Sequence, residues 1–171
     1  MKFLVFSDSH GNVECMRKII DSHLKAGGLD CVFFLGDGIR DVISLTHTFT
    51  NLRFECVLGN CDAPSDVKEE LTDTCYEKIV TIGAWKFMLI HGHKYDVKYT
   101  YQDAVDHVID RGVDCLFFGH THRAEDLQLD GSLKGSMRII NPGSCGLGFH
   151  RSFALVETVS GQLVCGFGQI K

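Results

Sequence analysis

Three short apolar runs, at residues 2–6, 31–35 and 54–58, are separated by two stretches of helical periodicity. The first stretch, residues 13–26, carries Cys15, Ile19, Ile20 and Leu24 on one side and stops at Gly27-Gly28, as a helix end does. Residues 42–49 form the second. Parallel strands need a crossover long enough to hold a helix. The order strand, helix, strand, helix, strand therefore predicts a parallel sheet in an α/β fold.

The rest of the chain changes style. Residues 75–82 alternate in polarity and meet a turn at Gly83-Ala84, and residues 85–90 return as a second strand. Residues 100–111 look helical, with Ala104, Val105 and Val108 facing inward, and residues 115–118 form another buried strand. From Arg123 onward the pattern is mostly β. Residues 152–158 and 162–170 flank Ser160-Gly161, a hairpin signal. A chain that begins α/β and ends in hairpins predicts two sheets packed face to face with helices outside. Its 171 residues suit one domain, residues 1–171, with a proper core.

Charge and cysteine content narrow the function. The formal charge is -5 and no run of Lys or Arg occurs, which argues against a stable complex with nucleic acid held through its phosphates. A small phosphorylated substrate stays compatible if metal ions bring the positive charge. Of the eight cysteines, Cys31, Cys115 and Cys165 sit inside apolar runs, and no C-x-x-C pair occurs. Neither a zinc ribbon nor a thioredoxin-type motif is present. The apolar run 3–6 is too short for a signal peptide, and no run approaches the ~20 residues of a membrane span. A reduced, soluble, cytoplasmic protein is expected.

Five apolar runs end in the same manner. They lead into Asp8, into Gly36-Asp37, into Gly59-Asn60, into His91 and into Gly119-His120. In open α/β sheets, ligands gather at the carboxyl ends of the strands. Five separated segments therefore deliver Asp, Asp, Asn, His and His to one edge. Asp8-Ser9-His10 and His120-Thr121-His122 add His10 and His122, since residues two apart in extended chain point to one side. A single Asp after a strand is more often a turn former or helix cap than a ligand. The joint placement is what points to a metal.

With these residues assembled, the chain resembles the calcineurin-like metallophosphoesterase superfamily, whose pattern is D-x-H, G-D, G-N-[HC]-[DE], H and G-H-x-H. Here the blocks are Asp8-Ser9-His10, Gly36-Asp37, Gly59-Asn60-Cys61-Asp62, His91 and Gly119-His120-Thr121-His122, in that order. The short length, the Cys61 variant and Asn141-Pro142-Gly143-Ser144 are similar to the small bacterial and archaeal phosphodiesterases of that superfamily. The resemblance implies a four-layer α/β/β/α sandwich of two mixed sheets. It implies two divalent ions, one held by Asp8, His10, Asp37 and His122, the other by Asp37, Asn60, His91 and His120. Asp37 would bridge them, as a carboxylate with two oxygens can. Such a pair grips a phosphate and activates the attacking water. An oxygen and imidazole shell suits manganese, the common finding for such relatives, and also zinc, iron, nickel or cobalt.

The implied activity is that of a phosphodiesterase acting on a small phosphorylated substrate, with Asp37, Asn60, Cys61, Asp62 and His93 as catalytic candidates. Many superfamily members carry a His at the Cys61 position, thought to protonate the leaving oxygen. A thiol is a poorer acid for an alkoxide, which favours phosphodiesters or activated esters over alkyl monoesters. Cys61 equally reads as a small space-filling residue. His93 reads as a neighbour of metals and substrate rather than a ligand. Asn12, Arg40 and Ser144 are candidate substrate contacts. Arg40 alternatively pairs with Asp41 or another acid, and Ser144 alternatively only shapes a turn. The competing function is a catalytically silent metal-binding scaffold, like the eukaryotic retromer subunit that resembles this family. A homo-oligomer, dimer or tetramer, is compatible with this size.

Overall fold

The computed structural model describes residues 1–131 and 135–170. Three crossovers and three hairpins divide the chain into two five-stranded sheets. In the first sheet β1 (Lys2–Phe6), β2 (Cys31–Phe34) and β3 (Arg53–Cys56) run parallel. The helices α1 (Val13–Lys25) and α2 (Ile39–Thr48) provide their crossovers. β9 (Arg151–Val159) adds antiparallel to β1, and β10 (Gln162–Ile170) pairs with β9. Ser160 and Gly161 alone join Val159 to Gln162, both with positive φ, as a tight hairpin of this hand requires.

The second sheet has the order β4 (Glu77–Ile82), β5 (Trp85–Ile90), β6 (Cys115–Phe117), β8 (Ser136–Pro142) and β7 (Ala124–Asp130). β5, β6 and β8 are parallel, while β4 and β7 close the two edges antiparallel. α3 (Gln102–Val108) crosses between β5 and β6.

Alternation along the strands produces the layers. Phe3 and Val5 of β1, Phe33 of β2, Phe87 and Leu89 of β5, and Phe117 of β6 face one shared core between the sheets. Four phenylalanines meet there: the Phe3 ring lies 4.7, 5.4 and 6.0 Å from those of Phe33, Phe87 and Phe117. Their neighbours in sequence face the other way. Leu4, Phe6, Val32 and Phe34 pack on Met16 and Ile20 of α1 and on Val42 and Leu45 of α2. Met88, Ile90 and Leu116 pack on Ala104, Val105 and Val108 of α3. The result is the expected α/β/β/α sandwich.

Several boundaries depart from the sequence reading: α3 covers only Gln102–Val108 of the expected 100–111, and β3 ends at Cys56 rather than at residue 58. α2 begins at Ile39, not at residue 42, because the Asp62 carboxylate accepts the backbone N–H groups of Gly38 and Ile39 at 2.8 and 2.9 Å and caps the helix from a distance. β4 begins at Glu77, not at residue 75; Cys75 makes only an isolated bridge to Val57. Among the described residues no helix is long and apolar enough to cross a membrane.

Candidate metal centre

The carboxyl ends of β1, β2 and β3 in one sheet and of β5 and β6 in the other lie side by side. Just past them the chain turns sharply. Asp8, His10, Asp37, His120 and His122 have φ of 55, 43, 60, 67 and 60°, which makes them five of the seven non-glycine residues in the left-handed region among the described residues. Each such conformation costs of order 1–3 kcal/mol and persists only where the surroundings enforce it. This corrects the sequence argument for the two D-x-H and H-x-H pairs. They converge because both their members are kinked into left-handed turns, not because the chain is extended.

The turns are laced together. Asp8 N–H donates to Gly36 O at 2.9 Å, His10 N–H to Asp37 O at 3.2 Å and Gly119 N–H to His91 O at 3.0 Å. Asp62 accepts four backbone N–H groups, from Asp37, Gly38, Ile39 and Gly59, at 2.7–2.9 Å. It binds the β2 and β3 loops into one unit. Gly59 is needed for that approach: a Cβ there would stand 2.0 Å from Asp37 Oδ1.

Each buried carboxylate divides its oxygens between two tasks. Asp8 Oδ2 accepts His120 N–H at 3.1 Å, while Oδ1 stands 3.1 Å from His122 Nε2, 3.9 Å from His10 Nε2 and 4.0 Å from His91 Nε2. Asp37 Oδ1 accepts Cys61 N–H at 2.8 Å, while Oδ2 lies 3.6 Å from His91 Nε2 and 3.9 Å from His10 Nε2. Only one oxygen of Asp37 thus faces the cluster.

His91 is fully buried, and its ring is fixed by Nδ1–H donating to Leu35 O at 2.7 Å. That bond assigns the tautomer and leaves the Nε2 lone pair inward. There Nε2 meets Asn60 Oδ1 and His120 Nδ1, each at 3.2 Å. Side-chain atoms within 4.8 Å of one another group Asp8 with His10 and His122, and Asp8 with Asp37 and His91. Carboxylate, amide oxygen and imidazole donors that converge this closely fit a divalent cation.

Charge within the cluster is mutual. Burial opposes ionisation of Asp8, but the hydrogen bond from His122, with the imidazoles around it, outweighs it and holds its pKa down. The same hydrogen bond raises His122. Burial, with His91 and Lys98 nearby, pushes His120 down to about 4, so its ring is neutral and able to ligate at neutral pH. Desolvation and the Asp37 carboxylate push the Cys61 thiol up to about 11.

All seven ligand candidates from the sequence come together here. The other named residues divide. Cys61 is exposed and lines an open cleft of about 450 Å³ with His10, Asp37, Arg40 and Asp66. His93 lies beside the cluster, 5.4 Å from the His91 ring, with Nδ1 buried and without a hydrogen-bond partner among the described residues. Arg40 reaches Asp66 at 2.5 Å on the cleft rim. Asn12 points elsewhere and donates to Cys145 O at 3.3 Å. Ser144 is fully buried, with its hydroxyl donating to Asp8 O at 2.9 Å and accepting Leu147 N–H at 2.8 Å; it shapes the turn behind Asp8.

Two residues escaped the sequence reading as parts of the site. Asp41 accepts Ser9 Oγ–H at 2.6 Å and Gly11 N–H at 2.8 Å, which steadies the turn that carries His10. In sequence it looks like any acid in a first helical turn. Asn141, fully buried, donates to Gly119 O and Thr121 Oγ at 2.9 and 3.0 Å and so holds the turn between His120 and His122.

A family model described as the calcineurin-like phosphoesterase superfamily domain matches residues 1–161. A probable metallophosphoesterase of Bacillus subtilis (strain 168), YsnB, is 32% identical over 144 residues, which are 84% of this chain and 75% of that protein. Among solved structures, one described as a novel archaeal phosphodiesterase superposes with a TM-score of 0.71 at 24% identity, over 98% of this chain and 99% of its own. A Vps29 variant from Entamoeba histolytica gives 0.69 at 21% identity, over 100% of both chains. At these identities the structural likenesses speak for the fold.

Proposed function

The chain belongs to the calcineurin-like phosphoesterase superfamily, a family of metal-dependent phosphoesterases, and from that premise we propose that it is a phosphodiesterase with two divalent ions per chain. The observation that carries this reading is the division of labour at Asp8 and Asp37. Each carboxylate keeps one oxygen on a backbone N–H and turns the other toward the imidazoles. That arrangement supports a ligand set over a chance cluster of acids.

In this reading Asp8, His10, Asp37 and His122 hold one ion, and Asp37, Asn60, His91 and His120 the other. Manganese is the favoured metal, with zinc, iron, nickel and cobalt compatible with the donors. The ions, when bound, offset phosphate charge and activate the attacking water. The protein's part is positional. Leu35 O orients His91, Asp62 holds the Asp37 and Asn60 turns in register, and Asn141 holds the His120 turn. The cleft beside Asp37, open and lined largely by charged residues, suits a small anionic substrate once cations are in place. His93, beside the His91 and His120 rings, and Cys61, on the cleft, are the candidates in this reading for assisting the leaving group. A thiol in place of an imidazole favours phosphodiesters and activated esters, which leave with less proton assistance. The Vps29 neighbour also fits the silent-scaffold alternative without favouring it, and every ligand position here holds a competent side chain.

The test is direct. Protein stripped with chelator is assayed on a chromogenic phosphodiester and monoester with each divalent metal restored. Turnover of the diester that returns with metal and vanishes in Asp37→Asn and His120→Ala is the expected result. Two ions bound per chain without turnover of either ester would overturn it.

A further inference from the structure

On the far side of Asp8 from the cleft, two cysteines that the proposed chemistry does not use stand in contact. Cys15 occupies the third position of α1, and Cys145 lies in the loop after β8. The Cys15 thiol donates to Asn12 O at 3.1 Å and lies 3.3 Å from Cys145 O. Their accessibility is unequal. Cys15 is half-buried and lines a separate open cleft of about 400 Å³ with Glu14, Lys18 and Arg151, while Cys145 is fully buried.

Such a pair has the two attributes of a thiol switch: an accessible sulfur in an open cleft and a second cysteine beside it. The neighbouring Cys145 lowers the pKa of Cys15, with Arg151 assisting against burial. Burial keeps Cys145 protonated. The first turn of α1 adds the positive end of its dipole.

The Cys145 loop is also the backing of the metal centre. Cys145 N–H donates to Ser7 O at 3.0 Å, Gly146 N–H to Asp8 O at 3.1 Å and Ser144 Oγ–H to Asp8 O at 2.9 Å. The packing leaves no slack, since a Cβ on Gly146 would stand 1.9 Å from Ser9 O. A disulfide needs its sulfurs at about 2.05 Å, whereas the reduced Cys15 thiol is held on the carbonyl oxygens of Asn12 and Cys145. Its closure therefore pulls Cys145 toward α1 and draws on the bonds that hold Asp8 in its left-handed turn.

We propose that Cys15 and Cys145 form a reversible disulfide on exposure to a hydroperoxide, and that this disulfide weakens cation binding at Asp8. The chemistry balances in two steps. The Cys15 thiolate attacks one peroxide oxygen, the O–O bond breaks, and a sulfenic acid forms as the other oxygen leaves and is protonated to water or alcohol. Cys145 sulfur then attacks Cys15 sulfur. The S–O bond breaks, and hydroxide leaves as water with the Cys145 proton. Two electrons pass from the thiols to the peroxide.

The cation-binding half rests on the proposed metal reading, and the cross-link does not. Reduced, metal-free protein is treated with equimolar hydrogen peroxide, its remaining thiols are blocked, and its peptides are mapped. The expected product has lost two thiols, joins Cys15 to Cys145, and reverts with dithiothreitol. Calorimetry with Mn²⁺ then shows at least ~10-fold weaker binding to the oxidised than to the re-reduced protein, while peroxide-treated Cys145→Ser keeps its affinity. Cross-links through the exposed Cys61 or Cys75, or a sulfinic acid on Cys15 alone, would overturn the disulfide. A Cys15–Cys145 link with unchanged Mn²⁺ affinity would overturn the coupling. Reduced protein that binds no Mn²⁺ would instead count against the metal reading, and the coupling falls with it.

Discussion

His91, just past β5, donates its Nδ1 proton to the carbonyl of Leu35, just past β2, at 2.7 Å, so one hydrogen bond from a fully buried ring joins the ends of the two sheets at the candidate metal centre. The same ring serves the fold through one nitrogen and the cluster through the other. Its removal has two separable effects. In His91→Ala the Leu35 carbonyl loses this buried partner, which costs about 1–3 kcal/mol. Urea unfolding of the metal-free protein is expected to show that loss. Mn²⁺ affinity, measured by calorimetry, is expected to fall ~100-fold or more, because a ligand is lost as well as an orienting bond. Unchanged metal-free stability would mean that the Leu35 bond contributes nothing to holding the sheets together.

Asp62 looks from the motif like a catalytic acid, yet four backbone N–H groups share its two oxygens. Hydrogen bonds to a charged acceptor are worth about 1.5–3 kcal/mol each, and they are not additive. Asp62→Asn puts an NH₂ group where two of those donors point. The expected loss is about 2–4 kcal/mol in metal-free unfolding, with Mn²⁺ binding weakened because the Asp37 and Asn60 turns are no longer held together. A variant of wild-type stability and affinity would show that Asp62 is not the clamp.

How far the sequence led is clearest at these same residues. The apolar runs before Asp8, Asp37, Asn60, His91 and His120 mark strand ends, because period and hydrophobicity are local signals that burial obeys. The four layers follow from them. What stayed hidden depends on partners far away in sequence. The cap on α2 comes from Asp62, more than twenty residues beyond it, so no pattern around Ile39 records where the helix starts. The left-handed turns at His10 and His122 are enforced by neighbouring loops, not by residue type. Asn12 and Ser144 sit close to ligands in sequence but spend their side chains on backbone carbonyls. Arg40 was open to two readings, and it pairs with Asp66 while still lining the cleft.

Away from the metal centre, Glu77 of β4 accepts Tyr95 Oη–H at 2.9 Å and His107 Nε2 at 2.8 Å, with Arg111 at 3.6 Å. Burial opposes its ionisation, but the bonds from His107 and Tyr95 outweigh that and hold its pKa below the ordinary 4.5. A carboxyl with a depressed folded pKa stabilises fully above its unfolded value, and that contribution is lost as pH falls through the folded one. The side chain is about one-third exposed, so solvent screening keeps the effect under ~1 kcal/mol. Metal-free wild type is therefore expected to lose slightly more stability than Glu77→Gln between about pH 6 and about pH 3.5. Equal losses in the two proteins would remove Glu77 from the acid response.

The last prediction concerns the leaving group. Cys61 is exposed at the cleft, its N–H is held by Asp37 Oδ1, and its sulfur accepts Asn60 Nδ2–H at 3.3 Å. The backbone there is anchored whatever the side chain, so Cys61→His is expected to fold and to bind metal as the wild type does. An imidazolium is a stronger acid than a thiol by about two pKa units. For an activated nitrophenyl ester, which departs without proton help, the substitution should change kcat by only a few-fold. For an unactivated alkyl ester kcat should rise by about 10- to 100-fold, within the range general acids contribute. Cys61→Ser, which supplies no better acid, should give no such rise. A parallel increase on both esters in Cys61→His would point to substrate binding instead, and no increase on either would mean that the side chain at this position does not reach the leaving oxygen.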